Sequence, residues 1–165
     1  MNTGASFISS ACRKRLHAQG YDNFSDKELS DFKYGIRFAY AGCITLVAFG
    51  IYFQSIPVLA VAATIALVAA FPPYHPLDYL YNYGVRLLLN KPKLPPRTAQ
   101  GRFACGVATV WLAVTIYLLY NNYTMAGNIL AIALFAVGLL VTTTDICIPS
   151  MFYNGLFKRT KTINP

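Results

Sequence analysis

The chain has 165 residues, about the length of one domain, of which 56% are apolar and only 12% are charged. Soluble globular domains carry roughly 25% charged residues, so the composition excludes an ordinary soluble protein. The net charge of +8 does not gather on a compact basic face with interleaved aromatic residues, which argues against a nucleic-acid-binding module.

Two long blocks, residues 38–77 and 103–144, contain no Asp, Glu, Lys or Arg. Because a membrane-spanning helix needs about 20 apolar residues, each block holds two spans joined by a tight tip. The sequence therefore predicts an all-α membrane protein with four transmembrane helices in two hairpins. The predicted spans are residues 36–53, 58–71, 103–119 and 125–148, and the second is short for a hydrocarbon core about 30 Å thick.

The 14 Lys and Arg residues lie in an N-terminal arm, in the joint between the hairpins and in the C-terminal tail, and neither hairpin tip carries one. The positive-inside rule places these three regions, and both termini, on the cytoplasmic side. We expect a multi-pass protein of the bacterial inner (plasma) membrane, with an organelle membrane as the less favoured alternative. The predicted parts are a cytoplasmic arm (1–33), a first hairpin (34–73), a cytoplasmic interfacial helix with a basic linker (74–102), a second hairpin (103–148), and an interfacial segment with a basic tail (149–165).

The N-terminal arm contains two local signals. Ser25 and Glu28 match a capping box, which predicts a short polar helix leading into the first span. The run Arg13-Lys14-Arg15 is expected to contact anionic lipid headgroups or an acidic partner subunit.

The joint between the hairpins gathers prolines, tyrosines and basic residues. Its segment 77–89 predicts an interfacial helix, since tyrosine favours the headgroup level, and the proline-rich segment 91–96 predicts a stiff extended linker. The candidate contacts with lipid or with other integral membrane subunits are Arg13, Lys14, Arg15, Tyr79, Tyr81, Tyr83, Arg86, Lys91 and Lys93.

Few side chains suit ligand chemistry. His75 lies between prolines and is expected at the headgroups; it is a weak candidate ligand for a pigment or haem. Convergent His, Cys or carboxylate ligands are missing from the pattern, so no metal site and no resident cofactor is predicted, although a bound lipid or pigment stays open. Asp78 and Asp145 are expected at the interface, where Arg86, Arg102 or Lys158 could pair with them; a proton relay is the alternative.

The four cysteines lack a CxxC pair, which excludes a disulfide framework or a zinc ribbon. Cys105 begins the third span and Cys147 ends the fourth, so an antiparallel hairpin places them at similar depth. They could form a thiol pair, and the alternative is a pair of buried structural cysteines. No phosphate-binding loop or nucleophile motif is present.

The two halves resemble each other weakly. Gly35-Ile36-Arg37-Phe38 is similar to Gly101-Arg102-Phe103, and Tyr81-Asn82 is similar to Tyr153-Asn154. A repeat of a hairpin plus an interfacial helix predicts a pseudo-twofold bundle. Chance or shared interface chemistry would also produce these matches.

The order Pro-Tyr-His-Pro (73–76), tyrosine cluster, Lys-Pro-Lys (91–93), Arg-Phe-Ala (102–104) and second hairpin resembles the bacterial membrane family called domain of unknown function 4395, over about residues 31–157. The family pattern has a Cys-Pro near its start and a paired cysteine in its last span. Here Cys12 precedes Arg13, and Pro149-Ser150 stands where the second thiol would be expected. The family has no assigned activity, so the resemblance implies the fold and leaves the function open.

Together these features predict a non-catalytic accessory subunit of a larger inner-membrane complex, respiratory or photosynthetic. Two alternatives stay open. One is a thiol-redox membrane protein using Cys105 and Cys147. The other is a small transporter, for which the candidate polar residues inside the spans are Thr45, Thr64, Thr109 and Thr115.

Overall fold

The computed structural model describes residues 8–158, and regular structure within that range is entirely helical. The helices are α1 (Ser10–Ala18), α2 (Asp26–Tyr52), α3 (Ile56–Ala70), α4 (Pro76–Leu80), α5 (Arg86–Leu89), α6 (Ala99–Tyr120), α7 (Thr124–Thr144) and α8 (Ile148–Tyr153). Two π-helical turns, Tyr81–Val85 and Asn154–Lys158, follow α4 and α8.

Three helices, α2, α6 and α7, are long and apolar enough to cross a membrane. This supports the predicted helical membrane protein. The second predicted span, residues 58–71, corresponds to α3, which has 15 residues. At about 1.5 Å per residue that helix is roughly 22 Å long, which is shorter than a hydrocarbon core of about 30 Å.

The long helices form two antiparallel hairpins. The first turns between α2 and α3 with Gln54 at φ 49°, and the second turns between α6 and α7 with Asn122 at φ 65°. Helix α3 packs on α6 and α2 packs on α7. The four helices therefore surround a common centre in the order α2, α3, α6, α7.

The start of α2 follows the predicted capping box. The Ser25 hydroxyl accepts from the Glu28 N–H, and the Glu28 carboxylate accepts from the Ser25 N–H. The polar helix and the first span are, however, one continuous helix. The capping box therefore marks the start of the same helix that enters the apolar bundle.

The N-terminal arm packs against the protein at the end of the bundle where α2 begins. Leu16, Tyr21 and Leu29 form a buried core there with Tyr81 and Leu94 from the joint. We call α1, the joint (residues 71–98) and α8 together the polar cap. The linker 91–96 has no helix, as predicted, and Leu94 fixes it to this core.

Helix α7 ends earlier than predicted. It stops at Thr144 instead of continuing to residue 148, because Asp145 adopts a left-handed conformation with φ 61°. Proline is not what ends this helix: Pro149 lies within the first turn of α8.

The weak repeat in the sequence has a structural counterpart. After each hairpin, a short helix with proline in its first turn leads into a π-helical turn. Asn82 and Asn154 lie in these two turns, and each uses its side chain to hold another part of the cap. The Asn82 side-chain oxygen accepts from the Leu94 N–H (2.9 Å), and the Asn154 amide donates to the Ala18 carbonyl (2.6 Å).

Candidate functional site

A cavity of about 590 Å³ lies among the four long helices and α8. Its wall is almost wholly apolar, and three of its lining residues are cysteines: Cys43 from α2, Cys105 from α6, and Cys147 between α7 and α8. Tyr40 and His75 line it as well. The cavity therefore brings together the predicted pair Cys105 and Cys147 and adds Cys43.

His75 is buried, with 2% of its surface exposed, and caps α4. Its ring Nδ1 accepts from the Leu77 N–H (3.1 Å), and its backbone N–H donates to the Asp78 carboxylate (3.0 Å). In the neutral ring the proton is consequently on Nε2, which lies 3.6 Å from the Cys43 sulfur. Burial, with the nearby charge of Arg97, lowers the pKa of His75 to about 4.

A buried ion pair lies next to His75. Asp78 receives both Nε (2.7 Å) and Nη2 (2.5 Å) of Arg97, and their side chains are 0% and 5% exposed. The Arg97 guanidinium also lies over the Tyr40 ring, 5.2 Å from its centroid. Burial opposes its charge, but the hydrogen bonds to Asp78 raise the pKa of Arg97 well above its ordinary value.

A second ion pair, between Arg37 and Asp145, connects α2 to the segment after α7. Asp145 receives Nε (2.7 Å) and Nη2 (2.5 Å) of Arg37, and it accepts from the Cys12 thiol at 3.2 Å. Helix α1 and the residue after it add two bonds near the end of α7: Arg15 donates to the Thr144 carbonyl and Gln19 to the Asp145 carbonyl. Burial and the Asp145 carboxylate raise the pKa of Cys12, so this thiol stays protonated near neutral pH.

The two pairs make different connections: one joins the two hairpins and the other lies within the joint. Arg37 of the first hairpin binds Asp145 after the second, whereas Arg97 before the second hairpin binds Asp78 after the first. The predicted partners Arg86 and Arg102 are wrong. Arg86 donates to the Asn82 carbonyl and Arg102 to the Phe71 carbonyl, and the Lys158 side chain lies outside the described residues.

The contact between Cys43 and His75 is not a nucleophile–base dyad. A general base needs an unprotonated nitrogen facing the thiol, but Nε2 carries the proton and Nδ1 is occupied by the Leu77 N–H. Over residues 8–158, no three His, Cys, Asp or Glu side chains converge as a metal site.

The expectation that His75 contacts lipid headgroups is wrong, because the ring is buried beneath the cap. Its candidacy as a pigment or haem ligand stays a prediction. Both ring nitrogens already have partners, so ligation would require breaking one of these contacts.

The predicted contact residues of the joint separate into two groups. Tyr81 is wrong as a surface contact, because it is 1% exposed and packs in the core of the cap. Tyr79 and Tyr83 are exposed and stack in parallel with centroids 6.5 Å apart. Lys93 lies 6.0 Å from the Tyr83 ring, and Lys91 pairs with Asp31 at 3.2 Å.

The basic run of the arm is mainly engaged within the protein. Arg13 pairs with Asp26 and Arg15 bonds the end of α7, whereas Lys14 is exposed. The predictions for residues 1–7 and for the basic residues Arg159 and Lys161 of the tail lie outside the described residues.

Sequence reasoning missed Tyr40, Cys43 and Arg97. Arg97 was counted only as one of the basic residues of the joint. The useful signal for Arg97 was the scarcity of acidic residues, since the chain has only six. The aspartate at the end of each apolar block requires a basic partner from outside that block. Cys43 and Tyr40 gave no signal, because each is one polar-tipped residue in an apolar helix.

A family model described as domain of unknown function (DUF4395) matches residues 33–158. The chain belongs to this family. The predicted resemblance over about residues 31–157 is thereby confirmed. No curated protein and no solved structure matches the chain. The cavity, the paired charges and most of the polar cap all lie within the residues that the family model covers.

Proposed function

We propose that this protein is a non-catalytic accessory subunit of a larger inner-membrane complex. The observation that carries the proposal is the use of its buried charges. The charged side chains buried among residues 8–158, Asp78, Arg97 and Asp145, are all held in ion pairs, one within the joint and one between α2 and the segment after α7. Such pairs fix one arrangement of the helices, and none of the described residues that line the cavity is Asp, Glu, Lys or Arg.

The exposed face of the joint supports contact with lipid or with other subunits. Leu87 and Leu88 project outward with 63% and 88% of their surfaces exposed, beside Tyr79 and Tyr83. Aromatic and leucine side chains next to lysines favour the headgroup level of a bilayer. The polar cap presents this surface on a rigid base, since its underside is fixed by the buried core.

The proposed membrane arrangement has four spans with both termini in the cytoplasm. Helix α3 spans despite its length because a short helix thins the bilayer locally and draws on its flanks. Accessibility reporters at Gln54 and Asn122 should both label from outside, and reporters at Lys91 and at the C-terminus only from inside. Labelling of Gln54 and Lys91 from the same side would contradict a spanning α3.

The test of the accessory role is purification of the tagged protein in mild detergent, with mass spectrometry of what co-purifies. We expect other integral membrane subunits at fixed stoichiometry. The double variant Tyr79→Ala, Tyr83→Ala should reduce their recovery about tenfold, the effect of losing about 1.4 kcal/mol. Tyr52→Ala removes an exposed tyrosine at the opposite end of α2 and should have no effect. A folded protein that purifies alone would overturn the proposal.

A thiol-redox role is the second candidate, and the shared cavity favours it because Cys105 and Cys147 line the same wall. Mild oxidation of the membrane-embedded protein should then join them in one disulfide. Two free thiols after oxidation would exclude this role. The transporter alternative has no such support: the hydroxyls of its four threonines each donate to the carbonyl four residues earlier.

A further inference from the structure

We propose that the cavity among the long helices binds one hydrocarbon chain that carries an uncharged carbonyl group. Its volume of about 590 Å³ lies within the range of roughly 300–1,000 Å³ that is typical of small-molecule sites. Every one of the four long helices contributes to its wall. The site is therefore a property of the assembled bundle rather than a groove on one helix.

The lining determines the class of ligand. None of the described residues that line the cavity is Asp, Glu, Lys or Arg. Arg97, which lies over the Tyr40 ring, and Asp78, which accepts from the His75 backbone N–H, neutralise each other. A charged ligand would lose its hydration without gaining a counter-charge, so the occupant is neutral and mainly hydrocarbon.

Two of the lining residues, Tyr40 and His75, carry hydrogen-bond donors. The Tyr40 hydroxyl belongs to a lining residue, and so does the His75 Nε2–H, whose present partner is the Cys43 sulfur at 3.6 Å. Sulfur is a weak acceptor. A carbonyl oxygen is a better acceptor for either donor, which is why we assign an uncharged carbonyl to the ligand's polar end.

The cavity is also lined by apolar side chains that reach the surface of the protein. Phe152 and Leu156 line it and are themselves 66% and 65% exposed. A mouth bordered by such residues faces lipid more favourably than water. The ligand would enter from the bilayer, and it could be an isoprenoid quinone or the ester-bearing chain of a glycerolipid.

The experiment measures what the purified protein retains. The full-length protein is extracted in mild detergent, washed, and analysed by native mass spectrometry and by solvent extraction. We expect one retained molecule per chain, and the extract distinguishes the two sources by the mass of a quinone or of a glycerolipid. Folded wild-type protein that retains neither would overturn the inference.

Two variants on one helix provide the matched comparison. Ala108→Phe fills the cavity and should reduce retention at least tenfold. Ala113→Phe adds the same group at an exposed position of α6 outside the lining and should leave retention unchanged. Equal retention by both folded variants would overturn the inference.

Two further measurements do not depend on Ala108→Phe folding. Tyr40→Phe keeps the ring beneath Arg97 but removes the hydroxyl, so we expect about threefold to tenfold weaker retention. After solvent stripping, Cys105 should react faster with an apolar maleimide, while Cys12, outside the cavity, should react at its former rate. Unchanged retention in Tyr40→Phe together with an unchanged Cys105 rate would contradict occupancy.

Discussion

At the scale of single residues, His75 shows how one side chain serves two structural purposes. Its Nδ1 accepts from the Leu77 N–H, which has no helical partner at the start of α4. Its Nε2 lies 3.6 Å from the Cys43 sulfur at the wall of the cavity. Protonation of Nδ1 would remove the first of these bonds, because an imidazolium has no acceptor.

The folded protein is therefore expected to lose stability in acid through His75. The pKa of this residue is about 4 in the folded state, against 6.5 for an unperturbed histidine. Its contribution is complete above pH 6.5 and falls as the pH drops towards 4, where the unfolded chain binds a proton that the folded chain does not. The total loss is about 3 kcal/mol.

Thermal unfolding in detergent at pH 7, 5.5 and 4.5 measures this dependence. His75→Asn keeps a side-chain acceptor for the helix cap and should flatten the decline between pH 6.5 and 4.5. His17→Asn, which changes the other histidine, should retain the wild-type decline. A His75→Asn protein with the full wild-type decline would show that another group is responsible.

The three tyrosines of the joint show what residue-level prediction lacked. Successive helical residues are about 100° apart, so residues four apart share a face, whereas residues two apart lie on nearly opposite faces. Tyr79 and Tyr83 are exposed, and Tyr81 is buried between them. The preference of tyrosine for the headgroup level predicted that all three lie at the membrane surface. Applying the helical period to this segment would have separated Tyr81 correctly.

At the scale of the helices, glycines set how closely the hairpins approach. A Cβ at Gly138 of α7 would lie 2.2 Å from Cγ2 of Ile44 on α2, whereas a Cβ at Gly106 of α6 would meet no heavy atom within 4 Å. Ile44 is β-branched and has little freedom to move its methyl group away. The crossing of α2 and α7 thus requires glycine at 138.

We therefore expect Gly138→Ala to destabilise the bundle by about 1–3 kcal/mol through overpacking. Gly106→Ala should be neutral or stabilising by up to about 1 kcal/mol, because alanine favours the helix more than glycine does. Unfolding in increasing SDS measures both variants. The double variant Gly138→Ala, Ile44→Ala should recover part of the loss, and equal stability of the two single variants would contradict this account.

The extents of the helices could be predicted where the chain itself marks an end. Ser25 and Glu28 marked the start of α2, and uncharged tips marked both hairpin turns. The end of α7 was misplaced because Asp145 interrupts it through a bond to Arg37, 108 residues away. A contact at that separation leaves no trace in the local pattern of either residue.

At the scale of the whole molecule, two Arg–Asp pairs hold distant residues together. Each arginine makes two bonds to its aspartate; Arg37–Asp145 joins the two hairpins, whereas the buried pair Arg97–Asp78 lies within the joint. The separation of 108 residues explains why the pairing of Arg37 with Asp145 could not be read from the sequence, although both aspartates stood out at the ends of the apolar blocks.

Removal of one partner should be costly. We expect Asp78→Asn to lower the free energy of unfolding by about 3–5 kcal/mol, because it leaves Arg97 buried without a counter-charge. Asp31→Asn breaks the partly exposed pair with Lys91 and should cost at most about 1 kcal/mol. Thermal unfolding compares the two.

The double variant Asp78→Asn, Arg97→Met removes the stranded charge and should recover much of the stability. A double variant no more stable than Asp78→Asn alone would show that the loss comes from the cap of α4, where Asp78 also accepts from the His75 N–H.

The two Arg–Asp pairs also become possible in a fixed order during biosynthesis. Chains emerge from the ribosome N-terminus first, so Arg37 and Asp78 leave it before Arg97 and Asp145 exist. Arg97 follows Asp78 by only 19 residues. Arg37, in contrast, can pair with Asp145 only after the whole second hairpin has been made. A first hairpin released on its own therefore carries an unneutralised cation beside its span. Synthesis of α7 and of the aspartate that follows it is therefore the step that completes the pairing of Arg37.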